Sequence, residues 1–336
     1  MFAKFGMNRR HFLQSASAAL FAPAIASPAA AAAAAEVSFQ LSWIKSAQYG
    51  GYFSGIEHGI FKQNDVLPTF NSGGPNIDPV ANVASGQYNL GDRPVGSILI
   101  ARDKGIPVKI IGTVFAKSPF CIMSLASKPV RTIKELEGKT IAVPTSTRPV
   151  VLYLLKSAGV DPASVKFLPG SPDPAALANG QIDALPGYST NQGVMLQARG
   201  VDLFMLNVQD LGVPETTGTI YAREDYLAGN RETVVRFLRA ASQSWRFALD
   251  HPEDTAKLMV EKYGASGLDY TAQLNEVKAS KPFIEAGPRG ASGILALDLG
   301  VYERIIDIYH QAGITGAKMK VGDLCDPSFI DAALKS

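Results

Sequence analysis

Cysteine and histidine are scarce in this chain: two cysteines, Cys121 and Cys325, and four histidines among 336 residues. Two thiols 204 positions apart supply no paired metal-ligand spacing and no disulfide framework. Buried free thiols are therefore expected. His11 falls in the leader, and His58, His251 and His310 lack an H-E-x-x-H or similar spacing, so no metal site is expected. A G-x-S-x-G elbow, a P-loop and a G-x-G-x-x-G turn are also missing, and Ser72-Gly73-Gly74-Pro75 has the wrong spacing for any of them. Acidic residues are scattered, with no pair marked out for acid–base work. No basic run carries interleaved aromatics, which argues against nucleic acid. These gaps favour binding over catalysis, with no cofactor.

The first 35 residues read as an export leader. Asn8-Arg9-Arg10-His11-Phe12-Leu13-Gln14 sets two arginines ahead of an apolar stretch from Ala16 to Ile25, followed by small residues through Ala35. That pattern is a twin-arginine signal, with cleavage expected near Ala35. A signal's apolar core needs only about 7–15 residues against about 20 for a membrane span, and Pro23 and Pro28 disfavour a spanning helix. No cysteine follows the core, so no lipid anchor is expected there. A soluble periplasmic protein is the reading. Beyond the leader, 29 basic side chains face 30 acidic ones, a formal charge of −1 that exerts no long-range pull on polyanions.

About 300 remaining residues suffice for two domains. Apolar strands alternate with amphipathic helices, which indicates an α/β fold with mainly parallel sheets. Strands are expected at 37–43, 67–71, 108–115, 140–143, 165–168, 182–185 and near 219–222, and helices at 52–61, 77–85, 95–104, 150–158 and 231–249. A first lobe spans 36–117, a second opens after Lys117-Ser118-Pro119 and spans 118–220, and helices in 221–336 complete the first. In the 231–249 helix, Val234, Leu238, Ala241, Trp245 and Leu249 share one face, so Trp245 is assigned to the core.

The strand from Val37 ends on Trp43, and Gln48-Tyr49-Gly50-Gly51-Tyr52 follows. Trp43 and Tyr49 offer flat faces, Gln48 a donor and an acceptor, and the glycines close backbone approach. Strand ends of open α/β sheets line the crevice, which favours Trp43 as a ligand contact. A second candidate is Thr145-Ser146-Thr147-Arg148, where hydroxyls, a helix start and a guanidinium suit a sulfonate or carboxylate. A solvated arginine beside a helix cap explains the same residues equally well.

The order of elements, the opening strand with its tryptophan, the Leu136-Glu137-Gly138-Lys139 turn and the Ala222-Arg223-Glu224-Asp225 return resemble a bacterial substrate-binding protein, nearest the NMT1/THI5-like and sulfonate-binding family. The resemblance covers Phe39 to Trp245. It implies a two-lobed periplasmic-binding-protein fold (type II) with two crossovers, a ligand in the cleft, and delivery to an inner-membrane ABC permease with its ATPase. Trp43 and Tyr49-Gly50-Gly51-Tyr52 look more like the branch that carries thiamine-precursor pyrimidines than the sulfonate or nitrate branches. On that reading Gln48, Asn76, Asp92, Tyr188 and Asn191 pair with ring nitrogens and an exocyclic amine, although a turn or cap role is open for Asn76 and Asp92. The wider family also includes a fungal pyrimidine synthase that needs a cysteine-rich iron motif, which two cysteines cannot supply. Three readings follow: a solute receptor for a transporter, a pyrimidine-forming enzyme, and a ligand-sensing partner of a signalling protein.

Overall fold

Alternation of Val37 and Phe39 with Glu36 and Ser38 makes the opening segment a strand with one apolar face, and it seeds the first sheet. In this computed structural model, residues 1–3, 34–145, 147–171 and 173–335 are described. The arginine pair and the apolar stretch of the leader lie outside them. Residues from Ala34 onward form one unit.

The strands are β1 (Ala35–Gln40), β2 (Val66–Asn71), β3 (Leu90–Arg93), β4 (Val108–Phe115), β5 (Phe120–Leu125), β6 (Thr140–Val143), β7 (Lys166–Pro169), β8 (Leu185–Tyr188), β9 (Leu203–Asn207) and β10 (Thr217–Arg223). The first lobe's sheet has the order β2-β1-β3-β10-β4, with β10 antiparallel to both neighbours. In the second lobe β5 lies antiparallel between β8 and β9, and β6 pairs parallel with β7. A parallel bridge between Ile141 and Ala184 joins the two pieces. The resulting order β7-β6-β8-β5-β9 repeats that of the first lobe. In each lobe the reversed strand is the one that enters directly from the other lobe: β5 follows β4, and β10 follows β9.

Several expectations shift. The strand placed at 182–185 is β8, three residues later, because Ile182 and Ala184 are buried ahead of it while Pro186 and Gly187 carry the pairing to β5. The strand at 203–207 is additional to those expected. The helix expected over 52–61 breaks at Gly59, whose φ of 69° lies in the left-handed region, leaving Gly50–Glu57 and Ile60–Gln63. β10 already runs in the first sheet from Thr217, so the chain returns before residue 220.

The first lobe's core is aromatic. Phe39, Tyr52, Phe61, Phe70 and Phe237 surround one another, and Trp245 stands edge-on to Tyr52 at 5.6 Å, in the core as the helical stripe predicts. Gly50 and Gly51 serve this packing. A Cβ on Gly51 would lie 2.2 Å from the Trp245 ring, and one on Gly50 would lie 2.4 Å from Thr255 Cγ2. The expectation that these glycines admit a ligand is thus replaced: they admit the Arg231–Asp250 and Pro252–Leu258 helices.

Two C-terminal helices of the first lobe also reach the second. Tyr309, in Leu299–Gln311, stacks flat on Tyr153 at 5.4 Å and 8°. Glu276, in Tyr270–Ile284, meets Asn191. Cys121 sits in β5 and Cys325 beside Ile110 of β4; both are free and buried in different lobes. Burial pushes the Cys121 thiol up to about 12, so it stays protonated. Among the described residues no helix is long and apolar enough to cross a membrane.

Candidate functional site

Between the lobes lies a pocket walled by Ser42, Trp43, Gln48 and Pro94 on one side and by Pro144, Thr147, Pro186, Gly187, Tyr188 and Gln192 on the other. It encloses about 360 Å³, counting space open to solvent. The lobes touch beside it through Tyr188 and Thr217 and through Asn191 and Glu276. A larger hollow of about 1050 Å³, counted in the same way, lies against the crossovers at Lys117 and Glu215 and the Leu299–Gln311 helix, and its lining has no aromatic side chain.

The first lobe's wall is held by one carboxylate. Asp92, at the end of β3, is 1% exposed; its Oδ1 accepts the Ser42 backbone N–H at 2.9 Å and its Oδ2 accepts the Ser42 hydroxyl at 2.8 Å. Tyr49 Oη lies 3.0 Å from Ser42 Oγ and accepts the Trp43 backbone N–H at 2.9 Å and Gln48 Nε2 at 3.2 Å. Asp92 and Tyr49 thus stand behind the wall and orient Ser42, Trp43 and Gln48. Burial pushes Asp92 up to about 6, opposed by the bonds from Ser42 and by the Arg93 charge. Arg93 is buried too; it donates to Asp78 at 2.9 Å, while its Nε and Nη1 have no partner among the described residues.

In the second lobe Tyr188 ends β8, and a π-helical turn over Ser189–Gly193 follows. Its hydroxyl is 2.5 Å from Thr217 Oγ1, and its backbone N–H donates to Gln192 Oε1 at 2.9 Å. Thr147 donates to the Pro144 carbonyl at 3.3 Å. Asn191 turns away from the pocket lining: its Nδ2 donates to Glu276 Oε1 at 2.5 Å, and Ser46 Oγ lies 3.4 Å from the same oxygen. Burial pushes both Glu276 and Glu215 up to about 8.

Of the residues singled out by sequence, Trp43, Gln48, Thr147 and Tyr188 meet at the pocket, and Tyr49 and Asp92 support it. Asn76 and Thr145 are exposed and outside the lining, and Ser146 is outside the described residues. Arg148 is exposed, with its guanidinium 4.5 Å above the Phe167 ring, and is outside the lining, so of Thr145, Thr147 and Arg148 only Thr147 lines the pocket. Sequence reasoning passed over Ser42 and Gln192, each adjacent to a chosen residue, and Glu276, which reaches Ser46 from 230 positions away with no local signal. Among the described residues no group of histidine, cysteine and acidic side chains is placed to hold a metal ion.

The profile described as "NMT1/THI5 like" matches residues 46–255. The chain belongs to that family. It is 24% identical over 326 residues to "Riboflavin-binding protein RibY" of Chloroflexus aurantiacus, covering 92% of this chain and 93% of that protein. It is 24% identical over 254 residues to "Formylaminopyrimidine-binding protein" of Halalkalibacterium halodurans, covering 73% and 76%. A 22% match over 240 residues, covering 67% and 73%, reaches "4-amino-5-hydroxymethyl-2-methylpyrimidine phosphate synthase" of Legionella pneumophila. Among solved structures, the alkanesulfonate-binding protein SsuA from Xanthomonas axonopodis pv. citri bound to MOPS superposes with a TM-score of 0.66 at 18% identity, covering 87% of this chain and 98% of that one. That likeness shows the fold, the two-lobed type II periplasmic-binding-protein architecture, and the two strand orders of this chain match it.

Proposed function

We propose that this chain is the solute-binding component of an ABC importer, exported by the twin-arginine route to the periplasm, and that it closes its lobes on a flat nitrogen heterocycle. The observation that carries this reading is the pocket itself, which has an aromatic residue from each lobe, Trp43 and Tyr188, and no charged side chain in its lining. Offset or edge contact with an aromatic ring contributes about 0.5–1.5 kcal/mol beyond area burial. Closure needs a ligand that touches both walls, since only differential affinity for the closed form shifts the equilibrium. The closed form is what an inner-membrane permease with its ATPase would recognise. Two relatives named for riboflavin and formylaminopyrimidine binding support a heterocycle. Arg148, placed over Phe167, gives the sulfonate or nitrate alternative no cation in the pocket.

The third relative favours a second reading, an enzyme that forms a pyrimidine. Thermal-shift and calorimetric titration with riboflavin, an aminopyrimidine, an alkanesulfonate and nitrate tests the first reading. A ligand at 100 times its Kd stabilises the fold by about 2.7 kcal/mol, and the heterocycles are expected to do so while the anions do not. Stabilisation by the anions alone would overturn it, and recovery of a chemically altered heterocycle would favour the enzyme.

A further inference from the structure

Two side-chain polar atoms of the first lobe's wall stand apart from its hydrogen-bonded lattice. Trp43 Nε1 and Gln48 Oε1 are buried without a hydrogen-bond partner among the described residues, and both residues line the pocket. An unmatched buried donor and an unmatched buried acceptor each cost stability until something pairs with them. The orientation of the Gln48 amide follows from the bonds behind it. Ionised Asp92 only accepts, so the Ser42 hydroxyl proton is committed to Oδ2. The proton between Ser42 Oγ and Tyr49 Oη is then the tyrosine's. With that proton committed, Tyr49 Oη can only accept from Gln48, which must turn its NH₂ toward the tyrosine and leave its carbonyl unpaired.

We propose that the Asp92–Ser42–Tyr49–Gln48 chain fixes a donor–acceptor code in the pocket, with Gln48 the specificity-determining residue and Asp92 its positioning residue, so that the ligand must bring one hydrogen-bond donor for the Gln48 carbonyl and one acceptor for the Trp43 indole. This rests on the heterocycle reading and narrows it. An aminopyrimidine or a lactam-bearing ring carries both groups, whereas an ionised sulfonate or nitrate offers acceptors only. Reversing the first bond reverses the chain. If Asp92 donates to Ser42 Oγ, Ser42 donates to Tyr49, Tyr49 donates to the glutamine carbonyl, and Gln48 turns its NH₂ to the ligand. Asp92→Asn imposes that reversal, since its Oδ1 still accepts the Ser42 N–H while its Nδ2 donates to Ser42 Oγ. Acid should do the same, because burial pushes Asp92 up to about 6, opposed by the Ser42 bonds and the Arg93 charge. The other charged or titratable groups around it are Arg93 and Tyr49, Tyr52, Tyr188 and Tyr221, and burial holds the four hydroxyls above their ordinary value.

The test is calorimetry of the full chain with two probe pairs that differ in one donor: 4-amino-2-methylpyrimidine against 2,4-dimethylpyrimidine, and riboflavin against 3-methylriboflavin. At pH 7.5 the wild type should prefer the donor-bearing member of a pair by about tenfold or more. Gln48→Met should abolish that preference, while Asp92→Asn, or the wild type at pH 5, should abolish or invert it. Retention of the preference in Gln48→Met, or an equal preference at pH 5 and 7.5 and in Asp92→Asn, would overturn the inference while leaving heterocycle binding intact. Failure of all four rings to bind, with an alkanesulfonate binding instead, would overturn the heterocycle reading itself.

Discussion

The two walls of the cleft are built on different principles. The first lobe's wall is a hydrogen-bonded lattice: one buried carboxylate, one hydroxyl and one phenol determine where Ser42, Trp43 and Gln48 sit. The second lobe's wall relies on backbone stiffness, with Pro144 just after β6, Pro186 within β8 and Tyr188 anchored to Thr217 at the crossover. Proline limits the backbone without needing a partner, so this wall keeps its shape with few side-chain bonds. The difference suggests a division of labour in which the first lobe reads the ligand and the second covers it.

The largest effect should come from Trp43→Ala. Trp43 is 6% exposed and belongs to the aromatic core, so its loss should cost about 3–5 kcal/mol of stability as well as the ligand's ring contact, seen as an earlier denaturation midpoint. An unchanged midpoint would mean that the first wall is far less integrated than described. Trp43→Phe separates the two roles, because it keeps a ring but removes the indole N–H.

Next in size is pH. Asp92, Glu215 and Glu276 have folded-state values raised by burial to about 6, 8 and 8. Their folded forms therefore hold more protons than the unfolded chain between their ordinary carboxylate range and those values. Stability from these groups is greatest at the acidic end and declines as pH rises from about 4.5 to 8. The melting temperature should fall across that window, at roughly 2–4 °C per kcal/mol for a chain of this class. Glu276→Gln should flatten the decline; a melting temperature that rises from pH 5 to 8, with no change in slope for that variant, would contradict the assignment.

Tyr188→Phe removes the bond to Thr217 but keeps the ring, and should weaken binding only by about 1 kcal/mol if the second wall acts through shape. A loss as large as that of Trp43→Phe would erase the contrast between the walls. Arg148→Ala should be smallest, leaving heterocycle affinity unchanged and costing at most about 1 kcal/mol of stability through the lost stacking on Phe167, as read by parallel titration and melting.

What the sequence revealed and what it hid follow from range. Alternation in β1, the β-branched and apolar residues of β4 and the stripe on Arg231–Asp250 are local patterns, and each placed its element well. Trp43 at a strand end was legible for the same reason. Gly50 and Gly51 were misread because their partners, Thr255 and Trp245, lie about two hundred residues on, and glycine announces close approach without naming what approaches. Asp92 looked like a ligand contact because its type suits one, but the Ser42 bonds that engage it depend on the β1–β3 pairing. Arg148 lies outside the pocket lining, its guanidinium over Phe167 on neighbouring β7, a placement that no local pattern around residues 145–148 announces.

The exchange of reversed strands has a consequence for synthesis. All five strands of the second lobe lie in one stretch, Phe120 to Asn207, so that sheet can be completed as soon as the stretch is available. The first lobe, although started earlier, lacks the strand that stands between β3 and β4 until Thr217–Arg223 arrives. The half of the molecule that begins first is thus the half that finishes last, and until then it presents two open edges to its surroundings.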